Sequence, residues 1–385
     1  MKRLILLGAS GSIGEQTLDI INANPGDFSL VAFSVGHHIE KIAGILEKNP
    51  DVKGFCVENN SDCDSLRTLY SHLDIVSGDE GLTYLIQRYS VDFVVNALVG
   101  FVGLIPTVTA LEKSIDVALA NKESLVVGGE LIDRLLKFGK ARLFPIDSEH
   151  VALSKCLQGH KPSEVSKLIL TASGGAFRNL TRKELNHVTV KEALQHPSWS
   201  MGKKITIDSA TMINKGFEVI EAYYLFHMPF NKITIVMHDE SKVHSLVQFV
   251  DGSYLADIGP ADMRIPIAYA LYGEQRTEQK VRGLTLEEFG TLHFHGFDKK
   301  RYPCVGFALK ALKTKGSLPA VLNASNEVAV NAFLEGQISF LEIESIIEKA
   351  LANHVLIKHP SLQQLVAVDQ ATRSFALELI KGKTR

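Results

Sequence analysis

Two carboxylates, Asp147 and Glu149, stand two residues apart where the apolar run Leu143-Phe144-Pro145-Ile146 stops. On an extended backbone residues i and i+2 point to the same side, so both acids converge on one point. Facing carboxylates repel, and a shared proton or a cation relieves them. Oxygen-only donors suit a hard ion such as Mg²⁺ or Mn²⁺. An isolated Asp-Ser-Glu at a strand end more often faces solvent, so the pair alone decides little. A second cluster lies in Ala210 to Ala222, where Asn214, Glu218 and Glu221 share one helical face, with Lys215 beside them. Met212, Gly216, Ile220 and Tyr223 fall on another face. Amide, ammonium and carboxylate together can bind phosphate and metal, although most such stripes are solvated. Just before it, Asp208-Ser209 reads as a helix start, since either side chain can cap free N–H groups.

Two small-residue turns offer a backbone cradle for anions. One is Gly8-Ala9-Ser10-Gly11-Ser12-Ile13-Gly14, between the apolar run Leu4–Leu7 and a helical pattern through Thr17, Leu18, Ile20 and Ile21. Strand, glycine turn, helix is the context in which backbone N–H groups hold a pyrophosphate. The other is Ser173-Gly174-Gly175-Ala176, after Leu168–Ala172. Gln195 to Lys204 carries the only tryptophan, Trp199, and reads as a water-excluding lid or a plain surface loop.

The elements that must position these groups follow a rhythm. Leu30–Val35, Val52–Val57, Asp74–Val76, Asp92–Ala97, Asp116–Ala120 and Arg142–Ile146 read as strands alternating with helices. That is the pattern of an α/β fold with a Rossmann-like, doubly wound parallel sheet, whose ligands bind beyond the carboxyl ends of its strands. The second strand ends in Gly36-His37-His38 rather than in an acid, which favours a 2′-phosphorylated cofactor. Past His150 the rhythm stops. Ile233–His238, Ser245–Val250 and Tyr254–Ile258 read as strands, the last two joined by an Asp251-Gly252 hairpin turn. From Pro303 the pattern is helical: Val305–Leu312, Leu318–Leu334, Phe340–Asn353 and Leu362–Ile380. The expected division is a nucleotide-binding domain over 1–147, a central α+β catalytic domain with a second sheet over 148–275, a linker over 276–300, and an all-helical domain over 301–385.

Composition narrows the class. Of 385 residues, 45% are hydrophobic and 22% charged, enough apolar content for large cores. A formal charge of −2 gives no general attraction to nucleic acid. Cys56, Cys63, Cys156 and Cys304 have neither metal-binding spacing nor disulfide density, as in a reducing compartment. No window approaches the roughly 18 apolar residues of a membrane span. The expectation is a soluble, cytoplasmic globular protein with no nucleic-acid or membrane partner.

Six stretches in this order resemble the 1-deoxy-D-xylulose 5-phosphate reductoisomerase family. They are the first glycine turn, Leu119-Ala120-Asn121-Lys122-Glu123-Ser124, Pro145-Ile146-Asp147-Ser148-Glu149-His150, Thr171-Ala172-Ser173-Gly174-Gly175, His196-Pro197-Ser198-Trp199-Ser200-Met201-Gly202, and Asp208 through Glu218. Ala9 and the paired histidines His37 and His38 depart from the family's usual residues. The resemblance covers essentially the whole chain. It implies NADPH and a divalent ion, Mg²⁺ or Mn²⁺, as cofactors, a sugar phosphate as substrate, and a homodimer formed through the second sheet. By the same resemblance Asp147, Glu149 and Glu218 are the metal ligands, and Ser173, Ser209, Asn214 and Lys215 bind the substrate phosphate. Ser148 and Lys122 meet the substrate's hydroxyl and carbonyl region, while His196 reaches it from a lid closed by Trp199 and Met201. Lys122, Asp147, Glu149, His196 and Glu218 are the catalytic candidates. Ser10, Gly11, Ser12, Ile13, Gly36, His37, His38, Asn121, Glu123 and Gly202 are the candidates for NADPH contact.

The implied reaction is a metal-assisted skeletal rearrangement to 2-C-methyl-D-erythritol 4-phosphate, completed by hydride from NADPH, in the non-mevalonate route to isoprenoid precursors. Two other readings suit parts of the pattern. A metal-assisted NADP dehydrogenase for another phosphorylated ketone or aldehyde would leave the carbon skeleton unchanged. A non-catalytic NADP-binding sensor would have no need of the acid triad.

Overall fold

A computed structural model describes residues 1–382, so the last three residues of the expected helical domain lie outside it. The chain forms two compact units. The first comprises Met1–Ser124, Ile132–Asp147 and Asp262–Val281; the second comprises Leu125–Leu131, Ser148–Ala261 and Arg282–Arg385.

The first unit is built on seven strands: β1 (Lys2–Leu7), β2 (Phe28–Ser34), β3 (Gly54–Val57), β4 (Asp74–Ser77), β5 (Phe93–Asn96), β6 (Asp116–Leu119) and β7 (Leu143–Pro145). Every pairing is parallel, and the order is β4-β3-β2-β1-β5-β6-β7. The chain returns to the centre between β4 and β5, so β1 sits at the point where the strand order reverses. Helices on the sheet's faces explain why β1 is a continuous apolar run: Leu4 through Leu7 have no exposed surface. Burying each such side chain contributes roughly 1.5–3 kcal/mol. Phe33 and Phe55 stack at 5.4 Å on the neighbouring strands.

Asp262–Val281 belongs to this unit, where the sequence suggests the end of the central domain and a connecting segment. Its helix Arg264–Leu271 buries Pro266 through Leu271, which makes it a core helix. Lys2 Nζ donates to Leu271 O at 2.6 Å, and Tyr272 donates to Asp27 at 2.6 Å. A short apolar segment flanked by proline and charge looks like a linker until its partner surface, over 240 residues away in sequence, is known.

The second unit holds a five-stranded sheet of β8 (Val165–Ala172), β9 (Ile233–His238), β10 (Val243–Phe249), β11 (Tyr254–Ile258) and β12 (Phe294–Gly296), in the order β11-β10-β8-β9-β12. Strands β8 and β9 are parallel and the other neighbours antiparallel. Alternate residues of β10 are buried, as one covered face demands. Here too the expected linker is structured, since β12 pairs with β9 as an edge strand. Four helices follow, Pro303–Thr314, Leu318–Leu334, Phe340–Asn353 and Leu362–Lys381. No described helix is long and apolar enough to cross a membrane.

Candidate active site

In the first unit the glycine turn follows β1 directly. Gly8 has φ +84°, and a Cβ there would lie 2.6 Å from Ala97 O. A Cβ on Gly14 would lie 2.2 Å from Gly8 O, so both positions require the smallest residue for the helix Ser12–Ala23 to start against the strand. Gly11 is that helix's N-cap and no side chain caps it, which leaves its leading N–H groups to an anion. Ser10, Gly11, Ser12 and Ile13 line this turn, and Gly36, His37 and His38 follow the neighbouring strand β2. His38 is exposed and pairs with Glu40 at 3.0 Å. Sequence reasoning missed Lys41, whose ammonium donates to Ser10 O at 2.9 Å and pairs with Glu15 at 2.5 Å at the turn. Its only signal was its position shortly after His38.

Beyond β6, Asn121 begins the helix Lys122–Phe138, and its Oδ1 accepts from Ser124 N at 3.0 Å. Its Nδ2 donates to Leu98 O and Gly100 O at 2.9 and 2.8 Å, so the Asn121 side chain fixes the loop after β5. Glu123 lies beside it, 3.4 Å from the same amide. Lys122 Nζ donates to Asp147 at 2.5 Å, and each side chain is only 9% exposed. Asp147 belongs to the first unit and Ser148 to the second. The extended geometry expected for Asp147 and Glu149 is corrected here. Strand β7 stops at Pro145 and a helix starts at Ser148, so Glu149 projects from a first helical turn.

The second unit gathers Ser148, Glu149, Asn214, Lys215 and Glu218 into one network. Ser148 Oγ donates to Glu149 Oε2 at 2.5 Å, and Lys215 Nζ donates to Glu149 Oε1 at 2.7 Å. Lys215 also donates to Glu218 Oε2, while Asn214 Nδ2 donates to Glu218 Oε1 at 2.5 Å. Positions i, i+3 and i+4 of one helix make the last two contacts natural neighbours. That face is buried, with Glu218 1% and Lys215 5% exposed. Burial alone would lower the Lys215 pKa, but the charges of Glu149 and Glu218, with their hydrogen bonds, raise it. Lys215 is therefore an ammonium held between two carboxylates. An all-oxygen donor set that retains a cation inside the protein fits a hard divalent ion.

Asp208 and Ser209 do not start a helix, contrary to the sequence expectation. They sit near the end of the helix Lys203–Ala210, whose N-cap is Gly202. The chain breaks at Met212, in the left-handed region at φ +62°, and restarts as the helix Ile213–Phe226. Asp208 instead pairs with the partly buried Lys204 at 2.7 Å and accepts from the buried Asn326 at 2.9 Å. The break places Asn214 and Lys215 in the first turn of the new helix, where uncapped N–H groups add to their donors. Gly175, at φ +67°, packs so closely on Ser209 and Ala210 that a Cβ would lie 2.7 Å from Ala210 Cα. The turn carrying Ser173 is thereby brought to the bend carrying Ser209.

His196 Nε2 lies 3.1 Å from Ser173 Oγ. Its Nδ1 accepts from Ser198 N and Trp199 N at 3.2 and 3.0 Å, so the ring's proton is on Nε2 and Nε2 donates to the serine. Burial, then the positive charge of Arg178, lowers the His196 pKa to about 4. His196 is thus neutral at physiological pH, with the backbone of Ser198 and Trp199 wrapped around it. Trp199 and Met201 are half-buried. Arg178 and the half-buried His244, 6.1 Å from Trp199 between ring centroids, were missed. Neither stood in a stretch with a recognisable spacing.

Residues 4–129 match the family model described as 1-deoxy-D-xylulose 5-phosphate reductoisomerase. Residues 143–226 and 258–375 match two models of that enzyme's C-terminal domains. The 1-deoxy-D-xylulose 5-phosphate reductoisomerase of Bacillus cereus strain AH187 is 48% identical over 382 residues, covering 99% of this chain and 100% of the relative. A crystal structure of DOX-P reductoisomerase in complex with NADPH, fosmidomycin and magnesium superposes with a TM-score of 0.94 at 36% identity, covering 100% of both chains. The Zymomonas mobilis enzyme in complex with NADPH gives 0.90 at 36% identity, covering 98% of this chain and 99% of the other.

Proposed function

Because the chain belongs to the 1-deoxy-D-xylulose 5-phosphate reductoisomerase family, we propose that the network on Glu149, Lys215 and Glu218 serves that family's reaction. The protein is an NADPH- and divalent-metal-dependent oxidoreductase that converts 1-deoxy-D-xylulose 5-phosphate to 2-C-methyl-D-erythritol 4-phosphate, a step toward isoprenoid precursors. The observation that carries the site assignment is the Ser148–Glu149–Lys215–Glu218–Asn214 network, buried at Lys215 and Glu218, in a chain alike to its relatives over its full length.

Asp147, Glu149 and Glu218 hold the divalent ion. The buried Glu218, the partly buried Glu149 bonded to the same ammonium, and the short chain step from Asp147 to Glu149 support this reading. When bound, the ion supplies a Lewis acid at the substrate's carbonyl and adjacent hydroxyl, and NADPH supplies the hydride. Ser173, Ser209, Asn214 and Lys215 hold the substrate phosphate, and binding this unreactive end orients the reacting carbons. Lys122 and Ser148 position the carbonyl and hydroxyl oxygens. His196, as neutral imidazole, presents an Nε2–H donor without adding a cation that would compete with the metal. The lid bearing Trp199 and Met201 excludes water from the rearranging carbon skeleton. Ser10 through Ile13, Gly36, His37, His38, Asn121, Glu123 and Gly202 contact NADPH, the glycine turn taking its pyrophosphate.

The protein acts in the cytoplasm as a homodimer. Support for the dimer lies in β11, an edge strand whose Tyr254, Leu255 and Ile258 are 54%, 43% and 40% exposed. Such an edge invites pairing with another chain. Incubating the protein with 1-deoxy-D-xylulose 5-phosphate, NADPH and Mg²⁺ and identifying the product by NMR tests the function. A branched carbon skeleton is expected; an unbranched reduced sugar phosphate would overturn it.

A further inference from the structure

One buried pair beside the metal-binding candidates has no part in the reaction as described. His150 and Glu221 are wholly buried. His150 Nδ1 stands 3.3 Å from Glu221 Oε2, an ion-pair distance without hydrogen-bond alignment, and its Nε2 donates to the main-chain oxygen of Glu218 at 2.9 Å. That carbonyl retains a lone pair for the ring beyond its helical bond. The imidazole also lies nearly parallel to Phe226, with centroids 6.2 Å apart and planes 13° apart. Its orientation is therefore set on several sides.

The geometry consequences follow from chain position. His150 is next to Glu149 on the helix Ser148–Leu157, and Glu221 is three residues past Glu218 on the helix Ile213–Phe226. The ring's bond to Glu218 O thus ties the backbone that carries one carboxylate to the backbone that carries the other. We infer that Glu221 is a positioning residue, which acts through His150 to set the spacing of Glu149 and Glu218 and so the affinity for the divalent ion. This rests on the metal-binding reading of Glu149 and Glu218. Contacts that hold metal-ligating groups from behind typically cost about 10–100-fold in metal affinity when lost.

Two substitutions separate this role from simple packing. Glu221→Met keeps the volume but cannot hold the ring. Replacing a buried charge by an apolar group of similar size is often neutral or even stabilising, so the variant is expected to fold. Glu221→Gln keeps a polar contact, its amide donating to Nδ1 while Nε2–H still reaches Glu218 O. Mn²⁺ affinity, read by electron paramagnetic resonance of free ion, should fall about tenfold in Glu221→Met and stay within about threefold in Glu221→Gln. NADPH affinity should be unchanged in both. Unaltered Mn²⁺ affinity in Glu221→Met overturns the inference, as does a tenfold loss in Glu221→Gln. Glu218→Gln serves as the control. If it retains Mn²⁺, the metal-site reading fails; if it loses Mn²⁺ while Glu221→Met does not, only the positioning role fails.

Discussion

Lys215 stands where the buried carboxylate of Glu218 and the partly buried one of Glu149 would otherwise face each other, and its removal should expose that repulsion. Breaking a buried ion pair from one side costs about 3–5 kcal/mol. Lys215→Ala is therefore expected to melt well below the unchanged protein without metal, and millimolar Mg²⁺ should raise its melting temperature more than it raises that of the unchanged protein. Differential scanning fluorimetry checks this, and equal Mg²⁺ responses would contradict it. The same substitution removes a charged donor to the substrate phosphate, so KM for the sugar phosphate should rise about 100-fold while KM for NADPH barely moves. His196 gives a pH dependence of known sign. Its pKa falls from the usual 6.5 to about 4, so the lid as folded binds fewer protons than an opened lid between those values. The stabilisation is fully present above pH 6.5 and is lost as the pH falls toward 4, because a protonated Nδ1 can no longer accept from Ser198 and Trp199. Trp199 is the only tryptophan, so intrinsic fluorescence reads the lid directly. A transition in this range that Glu or Asp titration elsewhere cannot imitate should vanish in His196→Gln; its persistence there would argue against the assignment.

At the scale of elements, the glycine turn and the sheet edge make separate claims. Gly14→Ala forces a Cβ to within 2.2 Å of Gly8 O, so the helix must retreat from β1. NADPH affinity should drop more than tenfold, by fluorescence titration, with Mn²⁺ affinity preserved. On β11, replacing Tyr254 and Leu255 with lysine places charge on the exposed edge and should convert dimer to monomer by light scattering. A persistent dimer would move the interface elsewhere. These elements also show what a sequence makes legible. Leu4–Leu7, the glycine turn and the helix behind it were plain because local pattern and tertiary role agree. The helices Leu318–Leu334 and Phe340–Asn353 were bounded to the residue. Ser209 misled because a serine before an apolar run looks like an N-cap, whereas the true break is Met212, whose left-handed backbone no local rule demands of methionine. Asp208 was spent on Lys204 and Asn326, the latter 118 residues away.

For the molecule as a whole, the harder lesson concerns where segments belong. Arg264–Leu271 reads as connection yet packs as core of the first unit, and β12 reads as linker yet completes the second sheet. Both depend on contacts with distant parts of the chain, which periodicity does not carry. The carboxylates themselves were found from spacing and resemblance, although the extended geometry imagined for Asp147 and Glu149 gave way to a helical turn. His150 and Glu221 stayed unassigned because their partnership exists only once two helices, separated by more than 50 residues of chain, are packed together. This chain couples a metal-dependent rearrangement to NADPH oxidation. Absorbance of NADPH at 340 nm, followed with 1-deoxy-D-xylulose 5-phosphate present, tests it most directly. Oxidation is expected only when Mg²⁺ or Mn²⁺ is also present, with loss of activity in excess EDTA and recovery on re-addition of the ion; full turnover in EDTA would rule out a metal-dependent reaction.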